Sequence, residues 1–268
     1  MGEKEKTVFL LFFPRLLVPL YAKLLHLTDM QVIYEDNHII VVSKRSGEIV
    51  QGDKTGDEPL SETVKAYLKE KYQKPGNVFL GVVHRLDRPV SGLVVFARTS
   101  KALTRLNKMF ASGEVHKTYW AIVPITNNRD TTQNNGYWLL DNGYCMLTHW
   151  LTRNEQQNKS YAYDHEVPNA KKAQLRYRLI ARGERYQLLE VELLTGRHHQ
   201  IRCQLAAAGM PIRGDLKYGA PRSNTDGSIS LLSRRVQFVH PVSGQEISLE
   251  APLPDDPLWK KLLAMNNE

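Results

Sequence analysis

Short apolar, β-branched runs set between turn residues constrain the fold of this chain more than any other feature. Ile39-Ile40-Val41-Val42, Val78-Phe79-Leu80-Gly81-Val82-Val83 and Leu93-Val94-Val95-Phe96-Ala97 have strand length and lie beside turn residues such as Pro75-Gly76-Asn77 and Ser91-Gly92. Residues 31–44 read as two strands about a turn at Glu35-Asp36-Asn37, and Thr118–Val123 as another. Ala173–Ile180 and Arg185–Leu194 alternate apolar with charged residues, which predicts an antiparallel pair joined at Arg182-Gly183-Glu184. Residues 231–241 and 245–254 supply the last strands. Helical spacing is confined to Ser61–Tyr72, with Ser61 as N-cap, to Lys101–Phe110, and to Arg197–Ala208, closed by Gly209. A strand-heavy order without regular βαβ alternation predicts an α+β fold. The Asn- and Gln-rich stretch Thr126–Lys172 reads as a surface excursion with two strands, and as a boundary between two halves.

Of 268 residues, 42% are apolar, enough for a sizeable core and unlike disordered, collagenous or coiled-coil chains. Cys145 and Cys203 are too few for a disulfide framework and lack Cys-x-x-Cys spacing, so they point to a reducing, cytoplasmic setting and no structural zinc. Lys and Arg number 36 against 28 Asp and Glu, a net of +8. Lys171–Arg235 alone holds 13 basic and 5 acidic residues, again a net of +8. Charge so concentrated points to a polyanion rather than an even solubilising coat. Residues 1–29 are set apart by the apolar stretch Thr7–Leu27, but Pro14, Arg15, Pro19 and Lys23 break it short of the ~18 to 20 uninterrupted residues of a spanning helix. They read as an extension before a domain spanning residues 30–268, without stable membrane association.

Three segments carry chemistry. His84-Arg85-Leu86-Asp87-Arg88-Pro89-Val90-Ser91-Gly92 sets a carboxylate between two arginines in a turn, where cationic neighbours favour its ionised form. A lone Asp in a turn more often caps it. In His116-Lys117-Thr118-Tyr119-Trp120-Ala121, alternation puts Lys117, Tyr119 and Ala121 on one strand face. Leu194-Thr195-Gly196-Arg197-His198-His199-Gln200-Ile201-Arg202 opens a helical run behind a glycine turn, suited to phosphate or carboxylate contact.

In this order the three segments resemble the RNA pseudouridine synthases of the RluA type. HRLDRPVSGL is similar to that family's aspartate motif, KTYWA to its tyrosine strand and LLTGRHHQIR to its third motif. VIYEDNHIIVVSKRSG, GMPIRGDLKYG and VQFVHPVSGQEISLEAPLP extend the resemblance over roughly residues 30–254. It implies a mixed, mainly antiparallel central sheet with flanking helices and an RNA-binding cleft, and an isomerase acting on uridines of rRNA or tRNA without a cofactor or metal. It further implies that Asp87 attacks the target nucleotide and that Arg85 fills the space left by the flipped base. Tyr119 would pack on the uracil and is a candidate for handling the proton at its C5, and Arg202 would form an ion pair with Asp87. Leu194 or Ile201 would form the apolar floor, and Lys117 and Arg197 would contact phosphates. The reaction breaks the C1′–N1 bond, rotates the base and rebuilds the link through C5, and a carboxylate can serve it as nucleophile or as stabiliser of an oxocarbenium-like centre. The target must leave the stack, which favours looped or single-stranded RNA.

Cys203 and Gln204 depart from the family pattern of a small apolar residue and His, and Leu232-Ser233-Arg234-Arg235 departs from a His-bearing lead-in. Residues 1–29 are too short and apolar for the S4 RNA-binding domain many relatives carry, so the catalytic domain itself would supply RNA affinity. Two rivals remain: a noncatalytic RNA-binding module on the same fold, and a metal-dependent hydrolase gathering His84, Asp87, His198, His199 and His240. The second lacks any His-x-x-x-His spacing or carboxylate cluster. A monomer is the default expectation.

Overall fold

The computed structural model describes residues 30–125, 137–139 and 143–265. Residues 1–29 lie outside them, as does most of the Thr126–Gly143 stretch. The chain runs β1 (Gln31–Glu35), β2 (Ile39–Lys44), α1 (Leu60–Lys71), β3 (Gly81–Val82), β4 (Ser91–Ala97), α2 (Ser100–Ser112) and β5 (His116–Pro124). It continues with β6 (Tyr137–Leu139), β7 (Cys145–Asn154), β8 (Lys159–Tyr163), β9 (Lys171–Arg182), β10 (Tyr186–Leu193), α3 (Gln200–Ala207), β11 (Leu231–Val239), β12 (Glu246–Glu250) and α4 (Pro257–Ala264).

Among the described residues these strands make one sheet in the order β1-β2-β4-β11-β5-β10-β9-β7-β6, with β12 on β11, β3 on β4 and β8 on β7. Its pairings are antiparallel apart from β4 with β11, where Leu232 lies opposite Ser91 and Ser233 opposite Gly92. The apolar runs are continuous because both faces are covered. Ile40, Val42, Val94, Phe96, Tyr119 and Val191 pack on one face with Val64 and Leu68 of α1 and Ile201 and Leu205 of α3. Ile39, Val41, Leu93, Val95, Ile122 and Leu188 pack on the other with Leu106 and Met109 of α2 and Trp259 and Leu262 of α4.

Several boundaries differ from expectation. α1 begins at Leu60 behind Pro59, without a side-chain cap, and Ser61 is buried inside it. Of residues 78–83 only Gly81 and Val82 join the sheet, since β3 pairs briefly at the end of β4. α3 starts at Gln200, because His199 adopts a left-handed conformation (φ 51°) that cannot continue a helix. The Asn- and Gln-rich region is no break: β7 pairs with both β8 and β9, so the sheet runs through it. α4, unmarked by any sequence expectation, is capped by Asp256, whose carboxylate accepts the Leu258 N–H at 3.0 Å.

Candidate active site

β3 delivers the chain into 83–90, an irregular loop that re-enters the sheet as β4. Lys44, at the end of β2 and only 1% exposed, holds this loop from behind. Its ammonium donates to the carbonyls of Arg45 (2.8 Å), Arg88 (3.0 Å) and Val90 (2.6 Å), which uses all three of its N–H groups. Burial pushes its pKa down to about 8, while the charges of Glu48 and Asp87 oppose the drop. His84 Nε2 accepts the Val95 N–H at 2.9 Å and its ring stacks on Phe110, so it is a neutral structural pin; burial, aided by Lys117, lowers its pKa to about 3. Arg88 turns outward to Asp57 and Asp53. Gly92 (φ 114°) closes the motif where β4 meets β11: a Cβ there would lie 2.7 Å from Ser233 N and nearer still to its carbonyl oxygen.

These supports leave the Asp87 side chain 30% exposed at the mouth of the site. Its Oδ2 accepts Arg202 Nη1 at 3.0 Å and lies 3.5 Å from His199 Nε2. Arg202, buried on α3, sends its other nitrogens to Asp215: Nε to Oδ2 at 2.7 Å and Nη2 to Oδ1 at 2.9 Å. Burial alone would lower the pKa of Arg202, but Asp215 and then Asp87 raise it, so the guanidinium stays charged between two carboxylates. Tyr119 reaches the site from β5, buried and hydrogen-bonded to Ser233; burial, with a smaller contribution from the charge of Asp87, pushes its pKa up to about 12.

Ile201 is buried in the apolar cluster that holds Tyr119 and Leu86, whereas Leu194 is 50% exposed after β10. Arg85 is exposed beside Asp87. Lys117 is half-buried, its ammonium 5.4 Å from the centre of the Phe110 ring, and burial lowers its pKa. Arg197 is exposed in the turn before α3, where its N–H and the Thr195 hydroxyl both reach Gln200 Oε1. Of the histidines offered to a metal, His84 serves Val95 and His240 lies 2.8 Å from Asp36; among the described residues no group of three or more His, Cys, Asp or Glu is arranged to hold an ion.

The basic concentration in Lys171–Arg235 is partly spent on acidic partners. Arg176 and Arg178 of β9 lie directly opposite Glu192 and Glu190 of β10 and pair with them. Arg213 pairs with Asp256, and Arg234 and Arg235 share Glu250. With Arg202 that makes six paired arginines. Lys171, Lys172, Arg197 and Lys217 make no ion pair among the described residues. Sequence reasoning assigns no role to Lys44, Asp215 or Tyr218, although SKRSG and GDLKYG are family-like pieces, and it offers His199 only to a metal. A charged residue ending a wholly apolar strand, as Lys44 does after Ile39–Val42, was the available signal.

A sequence profile for RNA pseudouridylate synthase matches residues 38–207, a span that carries Asp87, Tyr119 and Arg202. The ribosomal large subunit pseudouridine synthase D of Xylella fastidiosa is 30% identical over 89% of this chain and 70% of its own length. The tRNA pseudouridine synthase C of Pectobacterium carotovorum is 30% identical over 87% of this chain and 61% of its own. The human RNA pseudouridylate synthase domain containing 4 shares the fold, with a TM-score of 0.68 at 19% identity over 93% of this chain and 98% of that one. The chain thus belongs to the RNA pseudouridylate synthase family, isomerases that convert uridine in RNA to pseudouridine.

Proposed function

We propose that this protein isomerises uridines of ribosomal or transfer RNA, as a cytoplasmic monomer, with Asp87 as its catalytic aspartate and residues 30–268 as one catalytic domain. The observation that carries the assignment is the half-open Asp87 carboxylate, held at 3.0 Å by an arginine that a second, buried carboxylate fixes in place. The ribosomal and transfer RNA activities named for its relatives give the substrate classes.

A uridine swung out of its stack brings C1′ to Asp87. The C1′–N1 bond breaks, the base turns about its own plane, and C5 bonds to C1′. C5 then gives up its hydrogen as a proton and N1 gains one, so no redox partner is required. Arg202 holds Asp87 aimed throughout and sets a fixed positive charge beside it. Tyr119, whose proton burial holds firmly at neutral pH, packs against the turning base and limits its path. Arg85, exposed beside the carboxylate, occupies the gap in the stack and offsets part of the few kcal/mol that flipping costs. Lys117 and Arg197 face the backbone phosphates, and Ile201 floors the pocket.

The test is release of tritium from C5-labelled uridine in unmodified rRNA and tRNA transcripts, run in excess chelator. Wild-type protein is expected to release label and Asp87→Asn to release none. Release by the Asn variant, or loss of wild-type release to chelator, would overturn the assignment.

A further inference from the structure

His199 has a place in the site that the mechanism above does not use. Its backbone is left-handed, unusual for a residue with a Cβ, and such a conformation persists only where the surroundings hold it. Its side chain is 5% exposed. One ring nitrogen, Nδ1, lies 2.9 Å from the Tyr218 hydroxyl, and the other, Nε2, lies 3.5 Å from Asp87 Oδ2.

The contact with Tyr218 favours one tautomer of the ring. The tyrosine oxygen already accepts the Ser160 N–H at 2.8 Å, leaving its own hydrogen to donate to Nδ1. The ring proton then sits on Nε2, facing the carboxylate. The opposite tautomer would press the Nε2 lone pair against a carboxylate oxygen. Burial, assisted by Arg202, His198 and Lys217 and opposed by Asp87, lowers the His199 pKa to about 3, so the ring is neutral in the working range. Tyr218 is itself held from two sides: the Arg202 guanidinium lies 5.2 Å and the Lys159 ammonium 5.3 Å from its ring centre. His198 stacks on His199 with ring centres 3.8 Å apart and is tied to Ser160 through its carbonyl oxygen and Nδ1.

We infer that His199 is a positioning residue for Asp87: a neutral donor, its tautomer set by Tyr218, that fixes the same carboxylate oxygen as the ion pair without adding positive charge. Arg202 alone leaves Asp87 free to swing about a single nitrogen. A second donor on the same oxygen directs the remaining oxygen, Oδ1, toward the nucleotide. At 3.5 Å the two atoms stand just short of a hydrogen bond, a gap that catalytic donors often keep until substrate closes the site. A second cation here would bind the carboxylate's charge too tightly for it to attack C1′, which a neutral ring avoids.

The inference rests on Asp87 being the catalytic aspartate, and its test separates the two. Gln reproduces the reach of the His Nε2 donor, whereas Asn reproduces Nδ1 and tolerates the left-handed backbone better. Single-turnover tritium release from C5-labelled rRNA and tRNA transcripts is measured for His199→Gln, His199→Asn and Asp87→Asn, alongside RNA affinity by filter binding. His199→Gln is expected to stay within about fivefold of wild type and His199→Asn to lose about 10- to 100-fold, with affinity within about twofold for both. Asn matching or exceeding Gln would overturn the inference and leave only a structural tie to Tyr218. Activity in Asp87→Asn would instead overturn the reading on which it rests. Should the Gln variant melt early, ¹⁵N chemical shifts of the His199 ring in the wild-type protein decide: a neutral ring protonated at Nε2 supports the inference, and protonation at Nδ1 overturns it.

Discussion

Asp215 and Asp87 stand on either side of one guanidinium and are treated differently. On the floor, Asp215 is 1% exposed and takes two nitrogens of Arg202; at the mouth, Asp87 is 30% exposed and takes one. The floor pair offsets the cost of burying a charged arginine, which no surface pair would do. The mouth pair then gains a cation already fixed in direction and leaves lone pairs free for chemistry. The two carboxylates share a residue type and a partner, and exposure together with bond count separates the buried tie of Asp215 from the reactive role proposed for Asp87.

The widest split between them should appear in Asp87→Asn and Asp215→Asn. The first is expected to lower turnover by about 10⁴-fold or more while shifting the melting temperature by no more than a few degrees. The second strips a buried cation of its bidentate partner and is expected to destabilise the fold by about 3–5 kcal/mol in urea unfolding. Equal stability losses in the two variants would erase the distinction between mouth and floor.

A smaller effect tests the two neutral histidines of the site, His84 in the Asp87 loop and His199 before α3. His84 and His199 have folded pKa values of about 3 against ~6.5 in an unfolded chain. Between those values the unfolded state binds more protons than the folded one, so stability must fall as pH drops through the window from ~6.5 towards 3. The slope for each ring is at most ~1.4 kcal/mol per pH unit. Urea unfolding across this range should show the loss, and His84→Gln should flatten it; an unchanged slope in that variant would remove His84 from the account.

The smallest effect concerns the basic surface, where paired arginines resemble the floor and open lysines the mouth. Arg176→Ala, which removes a cation already matched to Glu192, should leave the salt dependence of RNA affinity nearly unchanged. Lys217→Ala, which removes an ammonium held by the carbonyls of Gln157 and Asn158 and by no carboxylate, should reduce the slope by about 0.7. If five phosphates are neutralised in all, the wild-type slope on single-stranded RNA is roughly −3.5. A reversed order of the two variants would show that ion pairing on β9 does not decide which cations meet RNA.

Legibility in the sequence followed the range of the interactions. The apolar runs of β2 and β4 and the β9–β10 hairpin could be read because periodicity and turn residues are local. The three motif segments could be read because each is contiguous. The site's floor could not: Asp215 meets Arg202 across 13 residues and Lys44 meets Val90 across 46, and no local pattern records such contacts. The arginine pairing on β9 lies between these cases. Once the hairpin turn is placed, register sets Arg176 opposite Glu192 and Arg178 opposite Glu190, so net charge alone overstated what remains for RNA. α4 went unread because it is short, and the Asp256-Pro257 start that marks it follows a proline-rich strand end.

The place of β11 has a consequence for how the molecule comes into being. β4 and β5 are successive strands in the chain but not neighbours in the sheet; β11, made more than a hundred residues later, fills the slot between them. Until it emerges during synthesis, two partial sheets stand with unpaired edges facing each other, a non-local arrangement that is slow to close and exposed to wrong partners. Asp87 enters β4 on one side of that slot, Tyr119 lies in β5 on the other, and Ser233 of β11 touches both Tyr119 and the glycine that ends the aspartate motif. Closing the sheet and completing the site are one event, so a half-made chain carries every motif residue up to Arg202 and still has no assembled centre to offer an RNA.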